Sequence, residues 1–317
     1  MGVTRIGLQM PNLTFPGVPD GELFERIADV AVVAEESGFD SLWFMDHIYQ
    51  IDIVGPAQDP MLEAYTLLAG VAARTKSVSL GAMSTGVTYR NPAFLAKIVT
   101  TLDIVSSGRA ILALGAAWAE DEHHDYGIPF PPLGERMGRL EEAAQVCRAM
   151  FENESSTFSG SYYSIENAVN NPRPVRRGGI PILITGNGEK RTLLLVAQYA
   201  DGCNLIGDLD TVKAKLGVLS MHCERVNRDP ATLSKTRLGE LVIAETEAEA
   251  HLKYARLREQ YGEGLGGAVV GTPASIGEQI LPYFDAGLDG MIFFMHDAHD
   301  ANLVRMAGVA LTAAIGT

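Results

Sequence analysis

The chain has 317 residues, of which 47% are apolar and 20% are charged, and its formal net charge is −14. This length and composition fit one large globular domain spanning residues 1–317. The negative charge repels nucleic-acid phosphates and anionic membranes, so we expect neither as a partner. Three widely spaced cysteines, and an N-terminus without a basic region followed by an apolar run, predict a reducing, cytoplasmic location. No apolar run is long enough to cross a bilayer.

Eight short apolar runs predict eight β-strands, most of them followed by a helical pattern. They span residues 5–9, 41–44, 78–82, 110–114, 181–184, 202–206, 237–244 and 290–294. Several are continuously apolar, which is typical of parallel strands covered by helices on the outside. The alternation predicts an α/β fold, a (β/α)₈ TIM barrel, with an open doubly wound sheet as the alternative.

Amphipathic segments between the strands predict the helices. The first, residues 22–37, ends at Gly38, and the segment 92–106 begins with a proline in its first turn. Further helices are expected at 135–151, 188–199, 211–227, 247–261 and 273–286. Two insertions exceed the repeat, at 117–134 after the fourth strand and at 153–179, where FSGSYYSI predicts a hairpin. We expect the second to cross one barrel end, and both to shape the substrate pocket.

The loops after the carboxyl ends of barrel strands are where ligands bind in this architecture. Asp46 and His47 follow the second strand directly. They are candidate site residues, although Asp46 could equally cap a turn and His47 could bond the backbone. Trp118 follows the fourth strand after three small residues, and could stack on a planar ring or plug the barrel mouth.

Small residues follow the third and fifth strands. After the third strand they would let a flat ligand approach the backbone, or they form a simple bulge. After the fifth, the segment ITGNGEKRT precedes a predicted helix whose free amides would suit a phosphate, with Lys190 or Arg191 adding positive charge. The spacing of a P-loop is absent, and no G-x-G-x-x-G fingerprint opens the first βα unit.

Two histidine-containing runs, EDEHHD at 120–125 and MHDAHD at 295–300, make a metal-dependent hydrolase a rival hypothesis. His296 and His299 could share a helix face, but His123 and His124 are adjacent and diverge, and the first strand offers no histidine pair. We therefore predict no metal site. The chain also lacks a G-x-S-x-G elbow and a cysteine beside a base, which disfavours nucleophilic catalysis.

An ordered set of segments along nearly the whole chain resembles the bacterial luciferase-like family. The segments include GLQMPN, GFDSLWFMDH, TGVTYRNPAFLAKIVTTLDIVSSGRAILALGAAW, RMGRLEEAAQVCRAMF, GNGEKRTLLLVAQYADGCN and GTPASIGEQI. Within that family they are most similar to the coenzyme F420-dependent oxidoreductases. The resemblance implies a TIM barrel that binds a 5-deazaflavin at its carboxyl face, acts on a small molecule and forms a homodimer.

The resemblance also implies roles for individual residues. The deazaflavin ring would rest on a bulge after the third strand that carries a non-prolyl cis peptide, at Ala82–Met83 or Met83–Ser84. His47 would contact the ring and donate a proton, and Asp46 would hydrogen-bond the pyrimidine end or its neighbours. The residues implied to bind the cofactor are Ala82, Met83, Ser84, Thr85, Gly115, Trp118, Thr185, Gly186, Asn187, Gly188, Glu189 and Asn204.

One departure from the resemblance concerns the substrate. Trp118 stands where the sugar-phosphate dehydrogenase branch has a catalytic glutamate, which argues against sugar-phosphate oxidation and leaves His47 as the main acid. Two alternatives to an F420-dependent enzyme stay open, namely an FMN-dependent monooxygenase and a non-catalytic flavin- or deazaflavin-binding protein. Neither the substrate nor the direction of hydride transfer follows from the sequence.

Overall fold

The structure, a computed structural model, describes residues 5–316. Strands and helices alternate through this part of the chain. The strands are β1 (Ile6–Met10), β2 (Ser41–Phe44), β3 (Ser79–Ala82), β4 (Thr85–Gly86), β5 (Leu112–Gly115), β6 (Ser155–Ser159), β7 (Ser164–Val169), β8 (Ile182–Thr185), β9 (Gly202–Ile206), β10 (Ser234–Ile243), β11 (Val269–Gly271) and β12 (Gly290–Phe294). The helices are α1 (Leu23–Ser37), α2 (Ala64–Arg74), α3 (Pro92–Val105), α4 (Glu120–Asp125), α5 (Leu133–Glu152), α6 (Thr192–Tyr199), α7 (Leu209–Arg225), α8 (Glu247–Tyr261), α9 (Ile276–Asp285) and α10 (Ala301–Ile315).

The barrel is a ring of eight parallel strand positions. Neighbouring strands follow the order β3, β2, β1, β12, β10, β9, β8, β5, β4, and β3 and β4 are two pieces of one position interrupted at residues 83–84. A parallel bridge between Leu80 and Ala110 joins β3 to the chain entering β5 and closes the ring. The (β/α)₈ prediction is therefore confirmed, and the open doubly wound sheet is wrong.

Two apolar layers stabilise the ring, because successive side chains of a strand point to opposite faces. On β2, Leu42 packs outward against the helices, whereas Trp43 points into the barrel. Trp43, Ile111, Leu183 and Ile292 are fully buried in the interior. Burial of side chains of this size contributes about 2 kcal/mol each. The interior is thus a packed core, and ligands meet the protein above it, at the strand ends.

Most element boundaries agree with the sequence pattern. The helix α1 ends at Gly38, whose φ of 107° is in the left-handed region that glycine adopts freely. The side chain of Asn91 caps α3 and is followed by Pro92. The expected hairpin is present as β6 and β7.

Three helices, α2, α4 and α10, were not among the predictions, and α6 begins at Thr192 instead of the predicted residue 188. Within residues 5–316, no helix combines the length and the apolar character needed to span a membrane.

Candidate active site

A cavity of about 260 Å³ opens at the carboxyl end of the barrel. Every strand position contributes to its wall, because parallel strands bring all their carboxyl ends to one face. The lining includes Gln9, Asp46, His47, Met83, Ser84, Gly115, Trp118, Thr185, Gly186, Asn204, Leu238 and Phe294. The cavity therefore collects residues that lie up to 285 positions apart in the chain.

Nine of the predicted site residues line this cavity, namely Asp46, His47, Met83, Ser84, Gly115, Trp118, Thr185, Gly186 and Asn204. The other five lie beside it. Ala82 packs into the outer apolar layer, and Thr85 is buried with its hydroxyl 2.6 Å from the hydroxyl of Tyr65. The remaining three, Asn187, Gly188 and Glu189, belong to the turn after β8.

The bulge between β3 and β4 forms part of the cavity wall. The Met83–Ser84 peptide bond is cis, which is the second of the two positions expected from the sequence. The side chain of Gln9 donates to the carbonyl oxygen of Met83 at 3.1 Å, and the hydroxyl of Thr185 donates to that of Ser84 at 2.8 Å. These contacts hold the bulge from the first and fifth strand positions.

Asp46 is buried and bound on both carboxylate oxygens. Arg90 donates to its two oxygens at 2.8 and 2.9 Å, and the amide of Gly86 donates at 3.1 Å. Arg90 also bonds the carboxylate of Glu63 at 2.6 Å. Burial lowers the pKa of Arg90, but the two carboxylates outweigh this effect and the pKa is raised. Arg90 therefore stays charged, and Asp46 ties the strand-2 loop to the bulge.

His47 makes a short contact that the sequence did not predict. Its Nδ1 lies 2.6 Å from Oε1 of Glu122, which is 1% exposed. The other carboxylate oxygen accepts from the amide of Ile48 at 3.1 Å and from the hydroxyl of Tyr89 at 2.7 Å. Burial raises the pKa of Glu122, but the hydrogen bonds, with that from His47 foremost, leave it lowered. Glu122 is thus an anion, and an anion can only accept from Nδ1, so Nδ1 carries the proton.

Trp118 lies at the rim of the cavity. Its side chain is 61% exposed, and its ring meets the ring of His47 edge-on, with centroids 5.3 Å apart and planes at 72°. Of the two sequence readings, a plug in the barrel mouth is wrong, since the tryptophan leaves the cavity open. Stacking on a planar ligand stays a prediction.

The turn after β8 differs in one respect from the predicted phosphate site, namely in where the following helix begins. The helix α6 begins at Thr192, so its free amides lie beyond Gly186 and Gly188 rather than directly after them. The side chain of Asn187 bonds both the carbonyl and the amide of Ile206, at 2.5 and 3.0 Å. Glu189 pairs with Lys215 at 2.6 Å. The predicted helix start at residue 188 was therefore wrong: residues 189–191 form a turn, and the carbonyl oxygen of Glu189 lies 2.7 Å from Nε2 of His222.

The two runs considered for metal binding have other partners. His123 is buried, with Nδ1 2.6 Å from the carbonyl oxygen of Ala119 and Nε2 2.6 Å from the hydroxyl of Thr88. His296 stacks on Tyr261 and lies 3.2 Å from Glu240. Among residues 5–316, no group of three or more histidine, cysteine or acidic side chains is arranged to hold a metal ion.

The residues missed from the sequence include the polar group Gln9, Tyr89, Arg90 and Glu122 and apolar lining residues such as Ile53, Leu238 and Leu265. Glu122 lies in the acidic run EDEHHD, where nothing in the sequence separates it from Glu120 and Asp121. Arg90 and Tyr89 lie in a segment without periodicity, and their partners Asp46 and Glu122 are 44 and 33 residues away. Only the closed ring brings these residues together.

Comparison with known proteins identifies the family. Residues 4–290 match the family model described as luciferase-like monooxygenase. The chain belongs to this family. A relative from Kineococcus radiotolerans, named F420-dependent glucose-6-phosphate dehydrogenase, is 36% identical over 167 residues. That match covers 51% of this chain and about half of the relative, 47% of its length.

Two longer matches extend this comparison to most of the chain. A relative of the same name from Amycolatopsis mediterranei is 28% identical over 300 residues, covering 84% of this chain and 87% of the relative. The crystal structure of a monooxygenase from Streptomyces bottropensis superposes with a TM-score of 0.80 at 21% identity, covering 98% of this chain and 99% of that one. At this identity the structural match shows that the two chains share a fold.

Proposed function

We propose that the protein is a coenzyme F420-dependent oxidoreductase that transfers a hydride between the deazaflavin and a small organic substrate. The observation that carries the proposal is the cavity itself, in which a backbone bulge and a histidine held by a buried carboxylate share one wall. The names of the two relatives support the choice of coenzyme. Bound F420 would supply the hydride chemistry, and the protein would supply binding, orientation and proton handling.

The residues present fit a flat, polar-edged ring. Oε1 of Gln9 is buried at the cavity and has no hydrogen-bond partner among residues 5–316, so it is available to a ligand donor. A Cβ on Gly115 would lie 2.5 Å from the hydroxyl of Ser84 and 3.1 Å from that of Thr185. Glycine therefore keeps this part of the wall flat. We propose that Gln9, Met83, Ser84, Gly115, Trp118, Thr185 and Asn204 hold the ring.

His47 is the proposed proton carrier. Because Glu122 accepts from Nδ1, the neutral imidazole has its lone pair on Nε2. This nitrogen has no hydrogen-bond partner among residues 5–316. Nε2 can take a proton, and the carboxylate then stabilises the imidazolium.

Asp46 takes a positioning role in this proposal. Its carboxylate is already bound by Arg90 and by the amide of Gly86, so we propose that it fixes the bulge and the loop that carries His47. Ala82 and Thr85 support the bulge from the outer side. The turn of Gly186, Asn187, Gly188 and Glu189 is the proposed phosphate site, held in place by the bonds from Asn187 to Ile206.

A parallel titration with F420 and with FMN tests the proposal, because the family also suggests an FMN-dependent monooxygenase. We expect saturable quenching of F420 fluorescence at one coenzyme per chain and weaker retention of FMN. We further expect His47→Ala to bind F420 normally but to lose turnover. Tight FMN binding without F420 binding would overturn the choice of coenzyme, and full turnover in His47→Ala would overturn the role of His47. Tight F420 binding without turnover on any substrate would favour a non-catalytic binding protein.

We also propose a single-domain, cytoplasmic homodimer. Cys147, Cys203 and Cys223 are all buried and unpaired, which suits a reducing compartment. Light scattering on the purified protein would test the dimer, and a mass of one chain at micromolar concentration would contradict it.

A further inference from the structure

The cavity wall carries no Lys or Arg among residues 5–316. Its only acid is Asp46, which is neutralised by Arg90, and the remaining charge-bearing group is His47 beside anionic Glu122. Whichever part of the cavity the coenzyme fills, the part left for a substrate has no unpaired cation. An anionic substrate would therefore lose its hydration there without gaining a counter-charge.

Three arginines lie close to the wall without lining it, and one of them, Arg90, is bound by Asp46 and Glu63. Arg237 is fully buried and donates to three backbone carbonyls, those of Gly207, Gly266 and Gly267. Arg258 pairs with the buried carboxylate of Glu240 at 2.6 Å. A Cβ on Gly264 would collide with both partners of this pair, so the loop backbone covers it. Neither Arg237 nor Arg258 lines the cavity, and the nitrogens they leave without a hydrogen-bond partner among residues 5–316, Nη1 of Arg237 and Nε and Nη1 of Arg258, are buried.

The upper wall is apolar. Ile51 and Ile53 approach from the loop after β2, and Leu265 approaches from the glycine-rich loop at residues 262–267. The polar lining atoms are largely bonded within the protein: Asn204 donates to Thr236 at 2.9 Å, and Thr185 donates to Ser84. A polyhydroxylated sugar would find few free partners for its hydroxyl groups.

We infer that the substrate is a neutral, predominantly apolar molecule such as a hydrophobic alcohol or carbonyl compound, and that Leu265 helps to select it. This inference rests on the proposed function and names the substrate class for the same site. It separates this chain from its sugar-phosphate relatives, whose named substrate is a dianion. In this proposal the substrate needs one polar group, which forms a hydrogen bond with Nε2 of His47.

A matched pair of ligands tests the charge preference directly. The F420-loaded protein, with loading measured beforehand by fluorescence, is titrated calorimetrically with cyclohexylacetamide and with cyclohexylacetate, and then with glucose and glucose 6-phosphate. We expect the amide to bind at least tenfold more tightly than the carboxylate, and glucose 6-phosphate to bind no better than glucose. Equal or tighter binding of either anion, or failure of the amide to bind, would overturn the inference.

A charge introduced on the wall supplies the complementary test. Leu265→Lys is expected to raise the affinity for cyclohexylacetate at least fivefold, and Ile53→Lys provides a second variant should the first fail to fold. Leu252→Lys is the matched control, because Leu252 is 54% exposed on α8 and does not line the cavity. Wild-type ratios in both wall variants would contradict the assignment.

Failure of F420 loading would count against the proposed function instead. The titrations would then be run on the unloaded protein, where the same ratios still report the preference of the wall.

Discussion

Substitution of Glu122 by glutamine is the most informative single change, because it keeps the shape of the side chain and removes its charge. In the native protein, Oε1 accepts from Nδ1 of His47, and Oε2 accepts from the amide of Ile48 and the hydroxyl of Tyr89. The glutamine oxygen should take the Oε2 position, since the reverse would set an NH₂ group against the Ile48 amide. The NH₂ group then faces Nδ1, which must become an acceptor.

The predicted consequence is an inverted histidine tautomer and slower turnover. With Nδ1 accepting, Nε2 carries the proton and can no longer receive one in the neutral ring. The imidazolium also loses a charge-assisted hydrogen bond worth about 1.5–3 kcal/mol. At 1.36 kcal/mol for each factor of ten, kcat should fall roughly 10- to 150-fold. The affinity for F420 should change little, because Glu122 does not line the cavity.

Two measurements check this prediction together. Nitrogen NMR of labelled protein reports which ring nitrogen of His47 is protonated, with the resonance assigned by its loss in His47→Asn, and stopped-flow hydride transfer reports the rate. Glu120→Gln, an exposed change on the same helix, is the control. A kcat within twofold of the wild type, with the tautomer inverted, would refute the role given to His47.

Three further variants probe the supports of the site and the acid stability of the fold. Arg90→Met leaves the carboxylate of Asp46 buried without its counter-charge, with the amide of Gly86 as its remaining donor among residues 5–316, so the free energy of unfolding in urea should fall by about 3 kcal/mol; a loss below 1 kcal/mol would contradict this. Asn187→Ala removes two bonds to the backbone of Ile206 and should cost about 2 kcal/mol and weaken F420 binding, whereas unchanged stability would show that the turn holds itself.

Glu35→Gln probes pH dependence. Burial raises the pKa of Glu35, but hydrogen bonds from a hydroxyl and three backbone amides leave it lowered. Its stabilisation is therefore complete above the unfolded glutamate pKa of about 4.3 and is lost as the pH falls through the lower folded value. The melting-temperature gap to the wild type should close in acid, and a constant gap would contradict the assignment.

The sequence was sufficient for the architecture because buried parallel strands are marked by continuous apolar runs. The strands β2, β9 and β12 begin and end where their runs do, and Gly38 ends α1 as its position indicates. The predicted end of the second strand also placed Asp46 and His47 at the mouth of the barrel, where they line the cavity. The start of α6 was predicted four residues too early, because Glu189, Lys190 and Arg191 favour a helix by propensity, whereas they form a turn in the folded chain.

The hydrogen-bond partners of the site residues depend on tertiary structure and therefore could not be predicted from the sequence. His47 and Glu122 are 75 positions apart, and Asp46 and Arg90 are 44 apart. An acidic run such as EDEHHD is usually solvated, and only the packing of α4 against the strand-2 loop buries Glu122 while Glu120 stays exposed. We propose a positioning role for Asp46 for the same reason, because Arg90 binds both of its carboxylate oxygens.

The central claim is that a deazaflavin lies on the flat wall at Gly115, and an equilibrium titration of F420 against the wild type and Gly115→Val tests it most directly. A side chain here would crowd the hydroxyl groups of Ser84 and Thr185, which line the cavity on either side of it. We predict saturable binding to the wild type and at least tenfold weaker binding to the variant, with both proteins folded by circular dichroism. Equal affinities, or no binding to the wild type, would contradict the account.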